Sequence, residues 1–341
     1  MRVLVTGHKG YIGAVLVPLL LADGFEVVGM DTDYYEECDF AGTLADVPEI
    51  RRDIRDATAG DLEGVNAVIH LAALSNDPLG DFDPELTYDI NERATIHLAR
   101  LARAAGAERF LFSSSCSNYG AGGDDLLDET APFNPVTPYG ISKVRAELGL
   151  LELMDDDFSP VLLRSATAYG VSPRLRCDIV LNNLTAWAIS TGTVLIKSDG
   201  TPWRPIVHIR DICRAFIAAL RAPREAIHGQ AFNVARLGEN YRIRELAEMV
   251  QQAVPGCSIE FAGDAGPDAR NYRVDASKIA AALPDFVPTW TAADGARELY
   301  TAFKEFGMTL EEFEGWRFRR IGQIKRLMAD GRLGSDLRWT S

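Results

Sequence analysis

The chain has 341 residues, of which 47% are hydrophobic and 25% charged, a balance that fits a globular α/β protein of one large or two closely joined domains. Its formal net charge of −14 argues against non-specific binding to nucleic acid or anionic membranes, since both need a basic surface. Any anionic ligand must therefore be held by a few local Arg or Lys side chains. Five scattered cysteines, Cys38, Cys116, Cys177, Cys213 and Cys257, include no C-x-x-C pair. Neither a disulfide framework nor a zinc site is expected, and a reducing cytoplasm is. No apolar run approaches the ~18 residues of a membrane span, so no signal peptide or anchor is expected.

The opening stretch MRVLVTGHKGYIG predicts strand, tight turn and helix: Val3, Leu4 and Val5 form an apolar run, and glycines follow at positions 7, 10 and 13. Such a turn points backbone N–H groups and the positive end of a helix at a pyrophosphate. The spacing is G-x-x-G-x-x-G, whereas the dinucleotide fingerprint is G-x-G-x-x-G. The context supplies the rest. FEVVGMD predicts a second buried strand ending in Asp31, 18 residues after Gly13. A carboxylate there accepts ribose hydroxyls and repels the 2′-phosphate of NADP. Lys9 is a contrary sign, because a cation can bind that phosphate; Asp31 is expected to outweigh it and to favour NAD.

Residues 32–50 are expected as a loop, and residues 51–56 as the close of a third strand, where Asp53 and Ile54 flank an adenine or belong to a plain surface charge cluster. Residues 65–74 predict a fourth strand ending in the small Ala72 and Ala73. Residues 81–106 predict one helix. RFLFSSSCSNYG is an apolar strand that stops in hydroxyl residues, at the strand end where open parallel sheets place their ligands. After the Pro-rich segment 128–140, Tyr139 and Lys143 lie four apart on one helix face. VLLRSATAYG is a further strand. Residues 171–192 carry Pro, two Arg and an Asn pair before a helix, and residues 193–220 predict strand, turn, strand and helix. AFNVAR returns as a core strand; SIEFA, a loop over 263–275 and helical segments to about residue 332 follow. The cofactor part is assigned to residues 1–170 plus 206–235, and the substrate part to 171–205 plus 236–341.

A phenol, with a reference pKa of about 10, is a poor base at neutral pH unless a positive charge stabilises its anion. Lys143 supplies one. Ser115 can bond to the same substrate oxygen, so the set can move a proton while hydride passes to or from a nicotinamide.

Together, TGHKGYIG, HLAAL, SSSCSNYG and YGISK resemble the extended short-chain dehydrogenase/reductase family of nucleotide-sugar epimerases and dehydratases, from residue 1 to about residue 300. The resemblance implies a Rossmann-type, doubly wound parallel α/β sheet with a smaller, mostly C-terminal α/β substrate domain. It makes Tyr139 the catalytic tyrosine, Lys143 its partner and ribose ligand, and Ser115, 24 residues before the tyrosine, the catalytic hydroxyl. The implied cofactor set is Gly7, Gly10, Tyr11, Ile12, Gly13, Asp31, Asp53, Ile54, Leu71, Ala72, Ala73, Ser113, Tyr139 and Lys143. The implied substrate set is Ser75, Ser115, Cys116, Thr167, Asn182, Asn183, Arg204 and Arg270. Within it, LNNL at 181–184 matches the Asn-Asn-Leu of galactose-type epimerases, and the two arginines resemble the family's diphosphate cations. No metal is implied.

The chain also departs from the family pattern. Sugar 4,6-dehydratases carry Asp-Glu directly after the catalytic hydroxyl, where this chain has Cys116-Ser117, so the acid for water loss is missing. Cys116 is expected to be a small apolar filler behind the site. The loop LSNDPLGDFDPE and the tail from residue 311 match no well-known member. The tail is expected to pack as a helix whose basic face caps the substrate domain or mediates a dimer. The expectation is a cytoplasmic, homodimeric, NAD-dependent NDP-hexose epimerase that oxidises a sugar hydroxyl at C4 and returns hydride to the other face. A 4-ketoreductase or a dehydratase of the same family is the alternative. A dinucleotide-binding scaffold without activity is remote, since such relatives usually lack the Tyr or the Lys.

Overall fold

The computed structural model describes residues 1–75, 77–266 and 270–340. Seven strands form one parallel sheet: β1 (Arg2–Thr6), β2 (Glu26–Asp31), β3 (Glu49–Arg51), β4 (Ala67–His70), β5 (Arg109–Ser115), β6 (Ser159–Ser165) and β7 (Ala231–Val234). Their spatial order is β3-β2-β1-β4-β5-β6-β7, the doubly wound arrangement with helices on both faces. Strand residues therefore alternate between two apolar layers. Val3, Val5, Ile69, Leu111, Val161 and Leu163 join the helices Gly13–Ala22 and Ile209–Arg221 on one side. Leu4, Met30, Val68, Phe110, Phe112 and Leu162 join the helices Ala94–Ala104 and Pro138–Leu151 on the other. Both faces being buried explains why these strands read as continuous apolar runs.

A third core belongs to the second half of the chain. There the helices Val180–Thr191, Ile243–Ala253 and Ala292–Phe306 pack with the parallel pair Thr193–Ser198 and Ser258–Gly266. A three-stranded sheet of Thr167–Tyr169, Trp203–His208 and Asn240–Arg242 lies between the two halves in sequence. Leu126–Leu127 pairs in parallel with Arg273–Val274. Among the described residues, no helix is long and apolar enough to cross a membrane.

Several boundaries differ from the sequence expectation, each for a local reason. The fourth strand stops at His70, where its partner β1 ends at Thr6 and turns away at the glycines, and beyond it the Asn91 side chain pairs with both the N–H (2.8 Å) and the carbonyl (3.0 Å) of Leu74. The helix expected over 81–106 is instead Pro84–Tyr88, a π turn Asp89–Arg93, and Ala94–Ala104. It starts late because Asp83 caps it, accepting from the Leu86 N–H at 3.0 Å. The third strand ends at Arg51, and Asp53 caps a 3₁₀ turn, Ile54–Asp56. The 32–50 loop is not plain: Cys38 and Phe40 are buried, and Phe40 packs on Phe303 in the third core at 5.9 Å. The strand beginning at Ser258 runs on to Gly266, and residues 267–269 of the expected loop lie outside the described residues.

The tail does not cap the second half as one helix. Phe313 and Phe318 enter the third core, whereas Ile324, Leu327, Leu333 and Leu337 enter the layer that holds Leu4 and Met30. The Trp339 indole donates to the Thr32 carbonyl at 2.7 Å, and the Tyr34 hydroxyl to that of Leu337.

The first helix starts on Gly13 for a steric reason: a Cβ there would lie 2.3 Å from the Gly7 carbonyl oxygen and 2.6 Å from the His8 backbone. Those atoms cannot swing away. Gly13→Ala should thus lower stability by about 3 kcal/mol or more, against about 1 kcal/mol for Gly24→Ala, which is strained only by its φ of +81° in open space. Urea unfolding of both variants measures the difference, and similar midpoints would contradict the packing described.

Candidate active site

A cavity of about 1010 Å³ lies over the carboxyl ends of β1, β2, β4 and β5, between the sheet and the second half of the chain. Gly7, Gly10, Tyr11, Ile12 and Gly13 line one end of it. Gly7 has φ +71° and its Cα lies where a Cβ would come 2.9 Å from the Ala72 nitrogen, so the turn can press against Leu71, Ala72 and Ala73, which line the same wall. The Tyr11 hydroxyl is spent on the Gly170 carbonyl at 2.8 Å, so only the rest of that residue is available to a ligand.

Asp31 ends β2 in this wall. Its two oxygens accept from the backbone N–H groups of Lys9 and Asp33, each at 3.0 Å, which fixes the carboxylate and leaves lone pairs for ribose hydroxyls. Burial raises its pKa above the usual range, against the pull of these N–H groups. The Lys9 ammonium is held by Glu49 at 2.6 Å and Asp33 at 3.2 Å. Burial works against that charge, but the two carboxylates keep it above its ordinary value. Asp53 and Ile54 line the cavity as well, although Arg55 already grips Asp53 at 2.6 Å. The glycine turn and this fixed carboxylate fit a dinucleotide.

Ser113, Ser115, Tyr139 and Lys143 meet in the middle of the cavity. Thr137 caps the helix that carries Tyr139 and Lys143, accepting from the Gly140 N–H at 3.2 Å. Burial pushes the Tyr139 phenol up to about 12, and the Ser115 side chain, within interacting range, works against that rise. Burial also brings the Lys143 ammonium down to about 7, with Glu147 opposing it. The ammonium donates to the Ser113 carbonyl at 2.8 Å and lies 4.5 Å from the centre of the Phe112 ring. The Ser115 oxygen accepts from both the N–H (3.1 Å) and the hydroxyl (2.9 Å) of Ser117, so its own proton is left to donate outward.

Behind this group stand residues that the sequence reading passed over. Thr95 donates to the Asn91 carbonyl at 2.9 Å, so it accepts from His70 Nε2 at 2.8 Å, and His70 Nδ1 in turn accepts from Thr6 at 2.7 Å. The imidazole is neutral, burial having lowered its pKa to about 3. Glu147, one turn past Lys143, pairs with Arg164 at 2.7 Å in full burial. The YGISKVRAE spacing could have found Glu147; nothing in the sequence marked the π turn that delivers Asn91.

Ser75, Thr167, Asn183, Arg204 and Arg270 line the opposite end. Arg204 donates to the backbone carbonyls of Trp203, at 2.8 Å, and of Arg270. Arg270 pairs with Asp77 at 2.5 Å, and Asp77 also accepts from Thr137 at 2.8 Å. Two expected residues do not face the cavity. Cys116 is fully buried, donates to the Arg164 carbonyl at 3.1 Å, and has its thiol pKa pushed up by burial. Asn182 is also fully buried, accepting from the Gly170 N–H at 3.0 Å and donating to the Arg176 carbonyl at 2.8 Å. Its neighbour Asn183 takes the cavity-facing place. Among the described residues, no three His, Cys, Asp or Glu side chains converge as a metal site would need.

Residues 3–235 match the model of the NAD dependent epimerase/dehydratase family. The UDP-glucose 4-epimerase of Mycolicibacterium smegmatis is 34% identical over 268 residues, covering 74% of this chain and 83% of that one. UDP-glucose 4-epimerase 4 of Oryza sativa is 33% identical over 265 residues, covering 68% and 71%. Among solved structures, MoeE5 in complex with UDP-glucuronic acid and NAD has a TM-score of 0.77 at 27% identity, over 89% of this chain and 99% of that one. The UDP-glucuronic acid 4-epimerase from Bacillus cereus, in complex with UDP-glucuronic acid and NAD, has a TM-score of 0.75 at 26% identity, over the same shares. A glycine turn joined to a Ser–Tyr–Lys centre, and a family match over two thirds of the sequence, lead to one conclusion: this chain is an enzyme of the NAD-dependent nucleotide-sugar epimerase/dehydratase family, the extended short-chain dehydrogenase/reductases.

Proposed function

We propose that this enzyme is an NAD-dependent nucleotide-sugar epimerase working through a transient keto sugar at C4. One observation carries the reading: Ser115, Tyr139 and Lys143 share a single cavity that has the glycine turn and Asp31 at one end and Arg204 and Arg270 at the other. When bound, NAD supplies the acceptor and the return donor of hydride. Ser115 donates to the reacting sugar oxygen and fixes it. Tyr139 takes the hydroxyl proton and gives it back to the keto oxygen when hydride returns, so a full cycle consumes neither. Lys143 holds the phenolate charge and a ribose hydroxyl. Arg204 and Arg270 receive the diphosphate, with Asp77 as the counter-ion of Arg270 until then.

Elimination of water has little support. Cys116 is sealed behind the strand end, and Ser117 gives its hydroxyl proton to Ser115. Asp77 is held as an acceptor by Thr137 and Arg270, so it is not set to deliver a proton. The keto sugar should wait for hydride return.

Tyr139→Phe should lower kcat by about 10²-fold or more while NAD stays bound. Incubating NDP-hexoses with the parent enzyme in D₂O, followed by mass spectrometry, should give isomers of unchanged mass. Loss of water would assign a dehydratase, and an enzyme that denatures without releasing nucleotide would favour a reductase.

The surroundings of Asp31 support NAD over NADP, since Lys9 is neutralised by Glu49 and Asp33 and the region carries surplus negative charge. Fluorescence titration should show NADH binding more tightly than NADPH. Tighter NADPH binding would contradict the assignment.

Lys143 links catalysis to stability. Its pKa is near 7 when folded and about 10.5 when unfolded, so the unfolded chain binds this proton more readily between those values. The cost of burying the ammonium is fully present below about pH 7 and fades as pH rises towards 10.5. Lys143→Met, free of cofactor, should resist urea better than the parent at pH 6, lose that advantage by pH 10, and bind NAD more weakly. No gain at pH 6 would show that the lysine is not desolvated as described.

A further inference from the structure

Arg176 lies in the stretch between Gly170 and the helix Val180–Thr191, and nothing in the mechanism above uses it. It lines the cavity, is only 7% exposed, and its charge acts on the Tyr139 phenol. Nε donates to Asp178 at 2.8 Å and Nη1 to the Ser75 hydroxyl at 3.2 Å, but Nη2 is buried without a hydrogen-bond partner. A second buried guanidinium, that of Arg320, comes from the tail and also lines the cavity, stacked 4.1 Å from the centre of the Tyr35 ring. Its Nη2 donates to the Arg174 carbonyl at 2.8 Å.

The charges in this wall do not balance. Arg174 is matched by Asp39, and Arg319 by Glu314 at 2.8 Å. Asp178 accepts from the Arg176 guanidinium and, at 3.4 Å, from the backbone N–H of Arg320, and its charge also acts on the Arg320 guanidinium. Among the described residues, two buried guanidiniums thus face one buried carboxylate. An uncompensated buried charge costs several kcal/mol, and a buried donor without a partner adds roughly 1–3 kcal/mol, so a wall built this way is completed by an anion from the ligand.

Two of the ligand anions are already provided for. The cofactor pyrophosphate faces the N–H groups of the glycine turn, and the substrate diphosphate faces Arg204 and Arg270. What remains beside Tyr139 is a substituent of the sugar itself. We infer that Arg176 binds a carboxylate on the hexose, so that the substrate is a nucleoside diphosphate hexuronate. The inference rests on the sugar-nucleotide reading above. The planar guanidinium suits a two-oxygen acceptor, and a neutral hydroxymethyl group would leave the charge unmatched.

Calorimetry and initial rates with UDP-glucuronate and UDP-glucose test this on the full-length, NAD-loaded enzyme. The parent should favour the uronate by at least about 10-fold in kcat/KM, and Arg176→Gln should cut that preference by about 10- to 100-fold, the worth of a hydrogen-bonded charge. Arg176→Lys should keep part of it. An equal loss on both sugars, or a loss confined to NAD affinity, would overturn the inference. Should the Gln variant not fold, the parent alone decides: equal affinity for the two sugars overturns the inference, and a 10-fold preference supports it. UDP-glucose isomerised with no uronate preference would sink this inference and leave the epimerase reading intact. Failure of the UDP, dTDP, GDP and CDP forms of both sugars to bind would sink the two together.

Discussion

The ion pair between Arg164 and Glu147 is the interaction on which the rest of the site depends. It is 2.7 Å long, and its side chains are only 5% and 1% exposed. Glu147 also accepts from Ser114 at 2.5 Å and Asn118 at 2.9 Å, while Arg164 donates to the Tyr119 hydroxyl at 3.1 Å. Tyr119 passes the connection to Asn233 at 2.8 Å. One buried charge pair therefore joins β5, the turn after it, the helix that carries Tyr139 and Lys143, β6 and β7. A buried pair adds little net stability over apolar packing, but losing one partner costs roughly 3–5 kcal/mol because the other is left charged and dry. What such a pair provides here is position. Ser115 and Lys143 are held at a fixed separation by residues adjacent to each of them.

The same burial that fixes the site also sets its chemistry. A phenol pushed up to about 12 and an ammonium brought down to about 7 are each poorly suited, alone, to proton transfer at neutral pH. Both shifts come from desolvation, so an entering charge changes both. Positive charge in the cavity favours the phenolate, and Glu147 behind the lysine favours the ammonium. The neutral His70 keeps a further cation out of the wall.

Much of this was legible in the sequence. The strand runs, the glycine turn, Asp31, and the Tyr139–Lys143 interval are local signals, and parallel strands buried on both faces write themselves as unbroken apolar stretches. The parts that were not legible depend on side chains brought together from afar. Asn91 takes up the backbone of Leu74 from 17 residues away in the chain, and the π turn that places it has no composition of its own. Asn182 and Asn183 are adjacent in a repeat of one residue type, so only the helix phase decides which of them faces the ligand. Cys116 follows Ser115, but the alternation of a strand end sends successive side chains to opposite sides. The tail offered charge and aromatic residues without a partner in sequence, and its partners, Tyr34, Tyr35 and Thr32, lie near the other terminus.

That tail has a mechanical meaning. Phe318 is set in the core of the second half and Ile324 in a layer of the first, with one short turn of chain between them. The Tyr11 hydroxyl ties the glycine turn to Gly170 at a separate point. The halves are also tied by Phe40 on Phe303 and by the pairing of Leu126–Leu127 with Arg273–Val274, so a wide jaw-like swing would have to unplug aromatic rings and aliphatic anchors from dry packing. Contacts of this kind favour entry and exit of a ligand past side chains and loops at the rim over a separation of the two halves.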